Sequence, residues 1–141
     1  MKKSICIILL LLEIIQFSDA QVAPSEIYSS KRFWRSDKTK TGTGFKFRNA
    51  TNVKRRYTFA IYKDCIKLTN KESTLYKINK IDGHYLDATH YLVSNSSGQP
   101  FLIIVGNVIV DNKHSYDITV IKTAKDGKTL SVTKFDVKKL K

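Results

Sequence analysis

The stretch Tyr57–Thr69 constrains the fold more than any other part of the chain. Apolar residues occupy every second position from Tyr57 to Ile61, and the alternation resumes at Ile66. A period of two is typical of a β-strand with one buried face, and Lys63-Asp64 supplies a short polar turn between two such segments. The stretch therefore predicts a β-hairpin.

Further short segments with strand character follow, separated by turn signals such as Asp82-Gly83 and the hairpin turn Ala124–Gly127. These segments are Phe45–Arg48, Ser73–Asn79, His84–Ser94, Phe101–Val105 with its continuation Val108–Val110, Tyr116–Thr123 and Lys128–Lys134. Phe101–Val105 is apolar on both faces and is expected to be the most buried strand, and Pro100 is expected only at the first position of the strand or on an edge.

This spacing predicts an all-β fold, an antiparallel meander of seven or eight short strands that forms a small barrel or a sandwich. The alternative is one curved sheet with a helix at Ser25–Trp34. The tail Phe135–Lys141 is expected to be an edge strand or a frayed end.

The first residues have the pattern of a secretory signal peptide. Lys2 and Lys3 precede the apolar run Ile5–Leu12, and Ser18-Asp19-Ala20 provides small residues for cleavage before Gln21. The apolar run is shorter than the roughly 20 residues of a spanning helix, so no transmembrane span is expected after cleavage. We predict three parts: a signal peptide at 1–20, a basic and partly disordered lead at 21–44, and a β domain at 45–141.

The number and positions of the cysteines indicate the cellular compartment in which the protein is expected to function. Cys6 would be removed with the signal peptide, which leaves Cys65 alone and excludes an internal disulfide. A small exported domain without disulfides favours a bacterial periplasm or cell envelope over a eukaryotic extracellular space, although release from the cell stays open. The glycosylation triplets at Asn49 and Asn95 are interpreted as chance matches.

The net charge of +13 favours an anionic partner. Ten lysines and arginines and a single acid lie between Lys31 and Arg56, so this segment carries most of the excess charge. Because export argues against nucleic acid, an acidic protein face or an anionic envelope surface is the expected partner. Aromatic residues lie among these charges, and Trp34 is the expected apolar anchor. The candidate partner-binding residues are Arg32, Phe33, Trp34, Arg35, Lys38, Lys46, Arg48, Arg55 and Arg56.

Patterns for catalysis or metal binding are weak. Cys65 follows Asp64, whose negative charge raises the pKa of a neighbouring thiol and disfavours the thiolate. On one strand, His84 and His90 would lie roughly 20 Å apart at about 3.3 Å per residue, too far for a shared ion, and Asp87 would face the other way. No cofactor and no metal are expected.

The sequence thus predicts an exported, non-enzymatic binding module, an accessory component of a cell-envelope or extracellular assembly. Two alternatives remain open. One is a small-molecule-binding barrel with a cavity lined by Tyr57–Tyr62 and Phe101–Val105. The other is a hydrolase or transferase that uses Cys65.

Overall fold

The computed structural model describes residues 22–38, 45–85 and 87–141, and within them every regular element is a β-strand. The predicted signal peptide at 1–20 lies outside the described residues. The strands are β1 (Glu26–Lys38), β2 (Phe45–Phe47), β3 (Thr51–Ile61), β4 (Cys65–Thr69), β5 (Ser73–Tyr85), β6 (Ala88–Ser94), β7 (Pro100–Val110), β8 (Lys113–Thr123) and β9 (Thr129–Lys139). No helix long and apolar enough to cross a bilayer occurs in the described ranges.

Pairing between the first and last long strands closes the sheet into a barrel. Each strand from β3 to β8 pairs with the strand that follows it along the chain. β1 pairs with both β3 and β9. Eight antiparallel strands thus form a closed meander, and the short β2 pairs with the end of β1. The prediction of an all-β antiparallel meander is confirmed, and the barrel is the correct form of the two that the sequence left open.

The predicted boundary of the β domain at residue 45 is wrong. β1 begins at Glu26 and pairs with β9 as far as Arg35, so this part of the expected lead belongs to the barrel. The helix considered at Ser25–Trp34 is absent from the described structure, because this stretch is β-strand from Glu26 onward. The C-terminal tail is neither an edge strand nor a frayed end, since it pairs with β8 as far as Val137 and with β1 as far as Lys139.

The turn between β5 and β6 also differs from its predicted place. β5 continues through Asp82-Gly83 to Tyr85, and the chain reverses around Asp87, which has a φ of 59°. The register with β6 shifts between Ile81 and His84. Gly83, with a φ of 70°, fits such a β-bulge because glycine adopts positive φ without steric cost.

Alternate residues of the strands point inward and form the core. Phe59, Ile103 and Ile118 have no exposed surface. The other buried apolar residues are Tyr28, Ile61, Ile66, Tyr76, Tyr91, Val93, Val105, Val120, Phe135 and Val137. The expectation that Phe101–Val105 is buried on both faces holds only for the inward positions. Leu102 and Ile104 are half-buried, because they lie on the outer face of a single closed sheet.

Candidate functional site

The basic segment contributes to a shallow groove on the outer face of the barrel. The groove lies where β1, β3 and β9 meet and has a volume of about 250 Å³. We call it the basic groove; its lining residues are Ser29, Ser30, Lys31, Arg32, Arg56, Asp136, Val137 and Lys138. Four cations therefore face the groove and Asp136 is the one acid in its lining, so the local charge is strongly positive.

A bulge in β1 positions Arg32. The register of β1 with both neighbouring strands shifts just before this residue. The Ser30 hydroxyl donates to the Arg32 carbonyl at 2.6 Å and accepts from the Arg32 amide at 3.2 Å. Since Ser30 is buried, its hydroxyl satisfies backbone groups that the interrupted ladder would leave unpaired.

A larger irregularity in β3 positions Arg56. The pairing with β1 passes from Ser30–Tyr57 to Arg32–Asn52, so β3 has more residues than β1 over this stretch. The Asn70 side chain, from the turn after β4, donates to the carbonyl of Arg55 at 3.0 Å and to that of Arg56 at 3.4 Å. These bonds support the extra backbone from outside the sheet.

Trp34 lies beside Arg32 on the outer face. The Arg32 guanidinium carbon is 5.4 Å from the centre of the indole ring, within the range of a cation–π contact. Trp34 itself is half-buried. This contact restricts a long side chain that would otherwise be mobile in solvent, and it combines an apolar surface with a charge at the side of the groove.

Phe33 and Arg35 are not part of the basic groove. Both line a cavity of about 220 Å³ inside one end of the barrel, which we call the aromatic cavity. Phe33 packs against Tyr57 with ring centres 5.5 Å apart and against Phe135 at 6.0 Å. Phe33 is therefore partly a core residue, whereas Arg35 is exposed and shares the cavity with Lys122.

The remaining predicted residues do not line the basic groove. Lys46 and Arg48 are exposed, in β2 and just after it, and the Arg48 amide donates to the Arg35 carbonyl at 3.0 Å. Arg55 is exposed within the irregular part of β3. Lys38 ends β1, and its side chain lies outside the described part of the structure. The predicted set is thus divided among several surfaces.

A further cavity of about 570 Å³ lies at the opposite end of the barrel, and sequence reasoning did not identify it. We call it the polar cavity; its lining residues are Glu26, Tyr28, Asp87, Thr89, Val105, Asn107, Tyr116 and Lys139. Along β7, Phe101 lines the aromatic cavity, Val105 lines the polar cavity, and the fully buried Ile103 lies between them. A packed middle layer therefore separates the two ends.

Cys65 is a free, half-buried thiol at the start of β4. Burial raises the pKa of this thiol, and the charge of Asp64 and a hydrogen bond to it raise the pKa further. A raised pKa keeps the thiol protonated near neutral pH and disfavours nucleophilic attack. Among the described residues, no three His, Cys, Asp or Glu side chains come together as a metal-ligand set.

Comparison with protein-family models, with curated proteins and with solved structures finds no match to this chain. The fold and its surfaces define a small closed antiparallel barrel with a cationic outer groove and a cavity at each end.

Proposed function

We propose that this protein is an exported, non-enzymatic binding module that holds an anionic partner in the basic groove. The partner is an acidic face of another protein in an envelope assembly or an anionic envelope surface. The observation that carries the proposal is the convergence of Arg32, Arg56 and Lys138 on one groove from three strands. Guanidinium groups suit carboxylate and phosphate oxygens because they donate two parallel hydrogen bonds.

The contacts that restrain the groove arginines favour a binding role for the basic groove over a role in solubility alone. Ser30, Asn70 and Trp34 each restrain a groove arginine or the backbone that carries it. Restraint before binding lowers the entropy that is lost on binding, so a held arginine contributes more affinity than a freely moving one. Charges that serve only solubility need no such restraint.

The assignment of partner binding to the basic groove is tested with two variants that reverse the same number of charges. R32E/R56E reverses two charges in the groove, and R35E/K122E reverses two at the aromatic cavity. Binding to phosphatidylglycerol vesicles and to an acidic polypeptide is measured for both variants over a salt series. We expect R32E/R56E to abolish binding and R35E/K122E to retain most of it. Equal loss in both variants would show that net charge, and not the groove, determines binding.

Isolation from the native envelope in mild detergent identifies the kind of partner. A stoichiometric complex that R32E/R56E disrupts would support an acidic protein partner. A free monomer that binds anionic vesicles would favour an envelope surface. A free monomer that binds neither vesicles nor the acidic polypeptide would reject the proposal.

The aromatic cavity favours a second candidate function, the binding of a small aromatic or aliphatic anion. Its lining includes Tyr57 and Phe101, from two strands expected to line a ligand cavity, and Arg35 and Lys122 supply positive charge. At about 220 Å³ it is smaller than most ligand pockets, so only a compact molecule fits. Mass spectrometry of the native protein would detect such a ligand, and R35E/K122E should release it.

A further inference from the structure

The polar cavity has the size and lining of a ligand site. Its volume of about 570 Å³ lies within the range of typical small-molecule pockets. Five strands or their ends supply its walls, and it shares no residue with the basic groove or the aromatic cavity. The chemistry of its lining groups selects the class of ligand.

The tyrosine pair of the cavity already holds an ammonium group. The Lys139 nitrogen lies 5.7 Å from the ring centre of Tyr28 and 5.8 Å from that of Tyr116. It also lies 2.9 Å from a carboxylate oxygen of Glu26, whose other oxygen accepts the Tyr28 hydroxyl at 3.0 Å. The protein thus fills its own cation site, which disfavours a cationic ligand.

An anionic ligand is disfavoured by the charge balance. Glu26 neutralises Lys139, and no described residue pairs with the carboxylate of Asp87. The cavity therefore has a net negative formal charge in a protein whose overall charge is +13. An anion entering it would meet an uncompensated carboxylate at short range.

The remaining polar groups can both donate and accept hydrogen bonds. His114 Nδ1 lies 3.0 Å from Asn107 Oδ1, which leaves the Asn107 NH₂ group as a donor. Asp87 is an acceptor, and the Tyr116 hydroxyl can act as either. The Asn107 amide also donates from the backbone to the Asp87 carbonyl at 2.9 Å, which connects the two residues.

We propose that the polar cavity binds a neutral polyhydroxylated ligand, a mono- or disaccharide. Each hydroxyl of such a ligand is both donor and acceptor, so it can pair with Asp87 and Asn107 together. The hydroxyl of the half-buried Tyr116 adds a third group in the lining that can donate or accept. This site is independent of the basic groove, and its failure would leave the proposed function intact.

The test uses the full chain and titration calorimetry with three probe sets. The neutral set contains maltose, cellobiose, lactose and N-acetylglucosamine; the anionic probe is glucuronate and the cationic probe is choline. Asp87→Asn keeps the shape of the side chain but removes its charge. Asp111→Asn is the matched control, because Asp111 is also an exposed turn residue with positive φ but does not line the cavity.

We expect at least one neutral saccharide to bind, Asp87→Asn to weaken its binding about tenfold, and Asp111→Asn to leave it unchanged. Tyr116→Phe should weaken binding less. Three outcomes would overturn the proposal: no neutral probe binds, glucuronate or choline binds in preference, or Asp87→Asn binds the saccharide as well as the unaltered chain does.

Discussion

The ammonium of Lys139 lies 2.9 Å from the carboxylate of Glu26, and this ion pair joins the last strand of the barrel to the first. Both side chains are about one-third exposed. Lys139 is also the register partner of Tyr28 in the ladder that closes the sheet. The ion pair therefore reinforces the barrel at its point of closure.

A double-mutant cycle with Glu26→Gln and Lys139→Met should give a coupling energy of about 0.5–1 kcal/mol, the upper range for partly exposed ion pairs. Urea unfolding provides the measurement. The control pair is Asp126 and Lys128, whose side chains are 55% and 80% exposed in a hairpin turn. Its coupling should be close to zero, and equal coupling in both pairs would contradict a special role for the closure pair.

Replacement of Phe59 by alanine should lower the free energy of unfolding by about 3–5 kcal/mol, because a large buried ring leaves a cavity. Phe59 is fully buried, and its ring centre lies 4.9 Å from that of Phe135 in an edge-to-face arrangement. Leu75→Ala is the control, since Leu75 is 55% exposed and should change stability by no more than about 0.5 kcal/mol. A small loss at Phe59 would show that the middle layer is not tightly packed.

Stability should fall as the pH rises above about 10, the ordinary pKa of tyrosine. Burial raises the pKa of Tyr76 and Tyr91, and burial together with Glu26 raises the pKa of Tyr28. Above pH 10 the unfolded chain has lost these protons while the folded chain still holds them, so deprotonation favours unfolding. At neutral pH both states are protonated and the effect is absent.

Denaturation midpoints at pH 8 and at pH 11 measure this effect. Tyr76→Phe should reduce the loss between the two values, because a ring without a hydroxyl cannot ionise. Tyr62→Phe, at a partly exposed position, is the control. An unchanged pH dependence in Tyr76→Phe would argue against a contribution from this residue.

Alkylation of Cys65 by iodoacetamide at pH 7 should be slower than that of a free peptide thiol. The raised pKa leaves little reactive thiolate, and half-burial restricts access. Asp64→Asn removes one of the causes of the raised pKa and should accelerate labelling modestly. Labelling faster than that of a peptide thiol would restore Cys65 as a candidate nucleophile.

Local patterns predicted several elements at the correct places. The hairpin at Tyr57–Thr69 is present as β3 and β4, and Pro100 is the first residue of β7. The turn at Ala124–Gly127 is also present, with the Ala124 amide donating to the Lys128 carbonyl at 2.7 Å. These features depend on neighbouring residues, which is why the sequence shows them directly.

The sequence of β1 does not predict a barrel strand, because the bulge changes the phase of the alternation. Tyr28 and Phe33 both face the interior although they are five positions apart, an odd number that a regular strand would place on opposite faces. Lys31, Arg32 and Arg35 of β1 are all exposed. The segment therefore has the pattern of a polar lead and not that of a half-buried strand.

The sequence by itself determined the all-β class and much of the strand order along the chain, because period-two alternation and turn residues act over a few positions. Only the tertiary structure decided that the sheet closes and which charges meet. The Ser36 hydroxyl, for example, donates to the Val132 carbonyl at 2.8 Å across 96 positions of the chain. Closure brings Lys138 to Arg32 and Lys139 to Glu26. No local pattern predicts it, because it depends on backbone hydrogen bonds between β1 and β9, which lie far apart in the sequence.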